Sequence, residues 1–216
     1  MTHLVWDWNG TLLDDLTLVV AATNASFASI GGPVVTEAEH RRDFRRPIVD
    51  YYSYVLRRPI DDEEYRRLDE AFHDAYRDGL ETCLLAVDAL DAMAAWPGSQ
   101  SLLSMFFHDE LVPLVERHGL SGRLARVDGL PGRVGGDRKA AYLAEHLAAL
   151  EIPGAQCVLI GDSVDDAHAA HEVGGRCVLY AGGFTDPALL HETGLPVATT
   201  LIDAVKLARE AAPGRG

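Results

Sequence analysis

The chain has 216 residues, 48% hydrophobic and 24% charged, with a formal net charge of −14 at pH 7. That length suits one core or a core with a smaller insertion, and no apolar stretch approaches the roughly 18 residues needed to span a bilayer. The acidic balance argues against a nucleic-acid partner, whose phosphates demand a basic surface, yet leaves room for a small phosphorylated ligand beside a metal ion and a few local cations.

The first predicted element is the strand Leu4–Trp8, which opens the string LVWDWNGTLLDD. Its apolar run is too short for a helix, and Gly10 lets the chain turn at the strand's C-terminal edge, where open α/β sheets bind ligands. Asp7 therefore stands where a nucleophile can be presented. Because this strand takes up the N-terminal residues in place of a basic, then apolar, signal segment, a cytoplasmic location is expected. A gap of about ninety residues with mostly helical patterns follows, including the polar DDEEYRRLDEAFHDAYRDGLE from Asp61. One crossover helix needs only a dozen or so residues, so most of this gap is expected to be an insertion with its own small helical core. Within it, FRRPIVDYYSY offers Arg45 and Arg46 before Pro47, then Tyr51, Tyr52 and Tyr54, without showing which of them face a cleft.

Further strands are predicted over Ser101–Phe107, Cys157–Ile160 and Cys177–Tyr180, with helical periodicity after them at Leu111, Leu114 and Val115, and at Ala140, Leu143, Leu147 and Leu150. Alternation of this kind predicts an α/β fold, a Rossmann-like doubly wound parallel sheet. The predicted division is a core of residues 1–15 and 82–216 with an inserted α-helical cap over 16–81. Three cysteines, Cys83, Cys157 and Cys177, form no CxxC pair and read as small buried thiols. The tail AAPGRG reads as disordered.

Near the C-terminal end, VLIGDSVDD is another apolar strand ending in Gly161 and Asp162, with Asp166 one helical turn on. That puts Asp162 at the same sheet edge as Asp7. Clustered carboxylates are costly alone, and a hard divalent ion such as Mg²⁺ is the usual remedy. Asp165 reads as a solvated residue of a helix N-terminus. Ser104 ends the run SLLS, with Ser101 and Ser99 as alternatives. Lys139 opens a predicted helix, where the dipole disfavours a cation, and Arg138 is its alternative. His168 and His171 have helix-face spacing but no third nitrogen ligand, and read as ordinary surface or core histidines.

DWNGT and GDSVDD resemble the first and last motifs of the haloacid dehalogenase superfamily, Asp-x-Asp-Gly-Thr and Gly-Asp-x-x-x-Asp, in the phosphoglycolate phosphatase and β-phosphoglucomutase-like branch with a helical cap. Ser104 and Lys139 match its second and third motifs. The resemblance implies a Mg²⁺-dependent phosphatase acting on a small phosphorylated metabolite, with Asp7 as nucleophile. It further implies metal ligation by Asp7, Asp162, Asp166 and the main-chain carbonyl of Asn9, phosphate contacts from Thr11 and Ser104, and charge neutralisation by Lys139. A cap arginine, Arg45 or Arg46, would touch substrate. Asn9 departs from the pattern: it stands where most phosphatases of the family carry the second aspartate, the proton donor to the leaving group, a role worth 10²- to 10⁴-fold. A slow phosphatase, or one favouring good leaving groups, is therefore expected. The alternatives are a noncatalytic ligand-binding or regulatory protein, a dehalogenase, or a phosphotransferase that passes the captured phosphoryl group to another acceptor.

Overall fold

The computed structural model describes residues 2–132 and 138–210. The tail 211–216 and residues 133–137, just before Arg138 and Lys139, lie outside the described residues. The chain order is β1 (His3–Trp6), β2 (Leu13–Asp14), α1 (Leu16–Ala28), α2 (Glu37–Asp43), α3 (Ile48–Leu56), α4 (Asp62–Leu80), β3 (Leu84–Leu85), α5 (Ala89–Ala95), β4 (Gln100–Phe107) and α6 (His108–Arg117). It continues with β5 (Val127–Leu130), α7 (Ala140–Ala149), β6 (Cys157–Gly161), α8 (Val164–Glu172), β7 (Arg176–Tyr180), α9 (Pro187–Glu192), β8 (Val197–Ala198) and α10 (Leu201–Glu210).

Six strands form one parallel sheet in the order β5-β4-β1-β6-β7-β8. The sheet winds outward in both directions from β1, so the chain reverses direction beside β1's C-terminal end and opens a crevice there. Strands β1 and β6 are buried at every position, which is why both read as unbroken apolar runs. The predicted first strand is corrected at its end: β1 stops at Trp6, and the Asp7 amide donates to the Ile160 carbonyl at 2.9 Å as the chain leaves the sheet. The predicted strand Ser101–Phe107 is present as β4, and Ser104 lies inside it, not at its end. β4 runs on to Phe107, and its pairing with β5 shifts register between Leu103 and Phe107. The short strands β5 and β8 sit at the two edges of the sheet and were not anticipated.

Helices α1 to α4 lie between β2 and β3, which pair antiparallel. The polar helix α4 inserts a stripe at four-residue spacing, Leu68, Phe72, Tyr76 and Leu80, into its surroundings. Its two ends meet different cores. Leu68 packs with Phe27, Val35, Tyr51 and Tyr52, whereas Tyr76 and Leu80 join Leu16, Val19 and Val20 in the core that continues into the sheet. Cys157 and Cys177 are free and buried, and Cys83 is free and half-buried.

A polar seam, buried at His3, Ser101 and His146, crosses the sheet at the opposite end from Asp7. Ser99 Oγ bonds His3 Nδ1, His3 Nε2 bonds Ser101 Oγ, Ser101 Oγ bonds His146 Nε2, and His146 Nδ1 bonds Asp128 Oδ2, each at 2.7 Å. Ser99 and Ser101 thus serve this seam. Burial, aided by His146, pushes the pKa of His3 down to about 4. A depressed histidine pKa means that the unfolded chain takes up the proton first, so this contribution is complete above about pH 6.5 and fades as the pH falls toward 4. Between pH 7 and pH 5 the wild type is expected to lose about 1 kcal/mol more unfolding free energy than His3→Gln, the linkage reduced for solvent screening at a ring near the surface. Urea titrations of both proteins at the two pH values measure that difference, and equal losses would sink the assignment.

Candidate active site

Three acids and one cation converge at the C-terminal end of β1 and β6. Lys139 Nζ lies 2.5 Å from Asp7 Oδ1 and 2.5 Å from Asp166 Oδ1, and all three residues are buried. Asp162 completes the group, and one carboxylate oxygen from each of Asp7, Asp162 and Asp166 lies within 4.8 Å of the others. Asp7 arrives on the turn after β1, and Asp162 on the turn after β6. Asp166 stands on the first turn of α8, where Ser163 and Asp166 cap each other reciprocally. Lys139 is the residue at which α7 begins, and its amide donates to Asp165 Oδ2 at 3.0 Å. The reading of Asp165 as a merely solvated residue is thereby corrected: it anchors the backbone that carries the lysine.

The electrostatics follow from this crowding. Burial raises the Asp7 pKa to about 6 against the pull of Lys139, with Asp166 adding to the rise. Asp162 is raised well above the usual carboxylate range by burial and by its two neighbouring acids. Burial works against the charge on Lys139, but Asp166 and Asp7 more than offset it and hold the ammonium above its ordinary pKa. Three carboxylates and one ammonium leave a formal charge of −2, which one divalent cation balances. An all-oxygen donor set of this kind suits Mg²⁺.

Backbone closeness around Asp162 has a sequence cause. Gly10 has φ +72°, and a Cβ there would lie 2.6 Å from Asp162 Oδ2; a Cβ at Gly183 would come within 2.2 Å of the same oxygen. Only glycine leaves space for the carboxylate, which accepts from the Phe184 amide at 2.6 Å. Thr11 Oγ1 donates to Asp162 Oδ1 at 3.1 Å and is fully buried. Thr11 therefore stands against the acid, its hydroxyl engaged by Asp162.

Asn9 stands where two cavities meet. One, of about 30 Å³, is lined by Asp7, Lys139, Asp162 and Asp166; the other, of about 100 Å³, extends beneath the helices of the insertion. Both amide hydrogens of Asn9 are spent, with Nδ2 donating to Asp15 Oδ2 and to the Tyr76 hydroxyl, each at 2.8 Å. Tyr76 in turn donates to Asp15 Oδ2 at 2.7 Å, and the Gly10 amide donates to Asp15 Oδ1 at 2.7 Å. The Ser104 hydroxyl donates to Asn9 Oδ1 at 3.2 Å and accepts from the Phe106 amide at 3.0 Å. Ser104 is thus bonded to Asn9 in this structure. Burial raises Asp15 to about 6 despite the bonds from Tyr76, Asn9 and Gly10.

Of the two arginines, Arg46 lines both cavities. Arg45 turns away, donating to the Asp43 carbonyl and stacking 4.1 Å from the Tyr54 ring centroid. Arg138, His168 and His171 are exposed. Asp15 and Tyr76 escaped the sequence reading. Asp15 occupies the N-cap position of α1 but makes no side-chain cap bond, because its carboxylate is turned onto Asn9.

Comparison with known proteins fits this architecture. The family model for HAD-hydrolase-like proteins matches residues 135–205. Among solved structures, a predicted phosphatase from Clostridium acetobutylicum has a TM-score of 0.82 at 14% identity, covering 97% of this chain and 98% of its own. A haloacid dehalogenase-like family hydrolase from Streptococcus pneumoniae has a TM-score of 0.80 at 16% identity, with 95% and 97% covered. A predicted phosphoglycolate phosphatase from Haemophilus somnus has a TM-score of 0.77 at 15% identity, with 96% and 98% covered. Comparison with curated sequences gave no match. The chain has the haloacid dehalogenase-like fold, with the helical insertion between the first and second strands of its main sheet.

Proposed function

We propose that the protein is a Mg²⁺-dependent phosphomonoesterase working through an aspartyl phosphate on Asp7, with helices α1 to α4 as its cap. The observation that carries this reading is the buried Asp7–Lys139–Asp166 ion pair beside Asp162, a donor set with a charge deficit that one divalent cation fills. Asp7, Asp162 and Asp166 would hold the metal, with Asn9 contributing through its main-chain carbonyl. Bound there, the metal supplies positive charge to the phosphoryl oxygens.

The rest is done by this chain's own groups. Lys139 fixes one oxygen of Asp7 and leaves the other to attack phosphorus, while its charge offsets that gathering on the phosphoryl group. The Asp7–phosphorus bond forms as the ester P–O bond breaks. The departing alkoxide takes its proton from water, because Asn9 has none to give and both its N–H groups are engaged. Water then attacks phosphorus, releasing inorganic phosphate and restoring the Asp7 carboxylate. Arg46 lines both cavities and is the cap side chain suited to meet the substrate anion. No helix among the described residues is long and apolar enough to cross a membrane.

The deciding experiment is an assay of aryl phosphate hydrolysis with Mg²⁺ and with chelator, combined with acid trapping of phosphoprotein. Metal-dependent turnover with phosphate trapped on Asp7, lost in Asp7→Asn, is expected. Turnover unaffected by chelator, or halide release from a haloacid in its place, would overturn the reading.

A further inference from the structure

The cavity of about 100 Å³ beside Asn9 is walled mainly by rings, among them Phe44, Phe72, Phe106 and Phe184. These rings pack on one another and on Tyr51 and Tyr76: Phe44 meets Phe184 and Tyr51 edge-on at 5.7 Å, and Phe72 stacks on Tyr76 at 5.7 Å. Several polar groups of the wall are committed to one another, and Arg46 and Asp69 add one charge of each sign to the lining. Thr23 donates to the Val19 carbonyl, the Tyr51 hydroxyl is paired with His40 Nδ1, and Tyr76 and Asn9 are bonded to Asp15. Asp69 stands 3.6 Å from His73 Nε2. Two buried ring nitrogens among the lining residues, His40 Nε2 and His73 Nδ1, have no hydrogen-bond partner.

A sugar or polyol placed here would lose the hydration of several hydroxyls and recover few bonds, which is costly in an enclosed site. A ring or branched alkyl group has no such hydration to lose and would meet aromatic faces and edges on several sides. The volume is of the order of engineered apolar cavities that admit benzene, about 150 Å³. The cavity shares Asn9, Phe44, Arg46, Met105 and Phe184 with the smaller one that holds Asp7 and Lys139, so one molecule can occupy both.

Resting on the phosphomonoesterase reading, we infer that the substrate is the phosphate monoester of an apolar, ring-sized alcohol carrying no more than one or two polar substituents. The phosphate occupies the carboxylate and lysine cavity, and the ring occupies the aromatic one. His40 and His73 offer the two nitrogens that would meet such a substituent.

Benzyl phosphate and glycerol 3-phosphate both release ordinary alcohols, so a comparison of the two tests recognition more than leaving-group chemistry. With Mg²⁺, kcat/KM for benzyl phosphate is expected to exceed that for glycerol 3-phosphate roughly thirtyfold, the order set by burying one ring. Calorimetric titration with benzylphosphonate and methylphosphonate, which cannot be hydrolysed, is expected to show at least tenfold tighter binding of the benzyl compound. Val19→Phe, which fills the cavity, should bring that ratio close to one. If that variant does not fold, Phe72→Ala enlarges the same space and should shift the preference toward naphthylmethylphosphonate. Equal affinities for the two phosphonates, or glycerol 3-phosphate hydrolysed as well as benzyl phosphate, would overturn this assignment while leaving the phosphatase reading intact. Preferential binding of benzylphosphonate without turnover of any ester would uphold the pocket and sink the phosphatase.

Discussion

Lys139→Met is expected to abolish turnover and to destabilise the fold by about 3–5 kcal/mol at pH 8, because it removes an ammonium paired to two buried carboxylates. The dependence on pH separates this cause from simple loss of packing. Without the ammonium, Asp7, Asp162 and Asp166 lose the counter-charge bonded to two of them, and Asp7 and Asp162 already sit above the ordinary carboxylate range. A raised carboxylate pKa gives stability that is present below the unfolded value, near 4, and lost as the pH climbs through the folded one. The penalty of the substitution should therefore be larger at pH 8 than at pH 5, and Mg²⁺ should reduce it at pH 8. Guanidinium unfolding of both proteins at the two pH values, with and without metal, reads all three effects. A penalty independent of pH would mean that the lysine acts through its methylenes.

Asn9→Asp is expected to fail as a simple restoration of the missing proton donor. The new carboxylate would stand about 2.8 Å from Asp15, exchanging a donating NH₂ for an acceptor with nothing to give. Asp15 is buried and its pKa is already about 6. One of the two acids must then hold a proton, and the variant should lose about 1–3 kcal/mol of stability at pH 8, the cost of a buried polar group left without its partner. Asn9→Asp combined with Asp15→Asn reverses donor and acceptor across the same contact. This pair should recover most of the stability and raise hydrolysis of alkyl phosphates by about 10²-fold or more, the lower range for general acid catalysis. A double-mutant cycle in stability and in kcat measures the coupling. Additive effects would show that Asn9 and Asp15 are independent, and a large gain in the single variant would show that Asp15 poses no obstacle.

The central strands were legible because both faces of a parallel sheet are buried, so β1, β6 and β7 appear as apolar runs whatever else the chain does. Strands β5 and β8 lie at the edges, where VDGL and a two-residue VA carry too little apolar pattern to stand out. The meeting of Asp7, Asp162, Asp166 and Lys139 was legible for a related reason: strand ends and a helix start fix where those residues fall along the chain. What a short side chain turns toward is not fixed in that way. The hydroxyl of Thr11 is given to Asp162 and that of Ser104 to Asn9, which no spacing along the chain foretells. Asp15 was hidden because a doublet of aspartates ahead of a helix reads as capping, and Tyr76 because it lies on a helix crowded with charge.

The Tyr76 hydroxyl gives that last residue a significance beyond packing. It belongs to the final turns of α4, whereas its two partners, Asn9 and Asp15, belong to the loop after β1 and the start of α1. Any movement that lifts α4 from the sheet withdraws a phenol from both at once, freeing one amide hydrogen of Asn9 and one lone pair of Asp15. The Tyr76 hydroxyl thus ties the end of α4 to the loop that carries Asp7, and Tyr76→Phe would remove that tie while leaving the ring packed against Phe72 and Phe106.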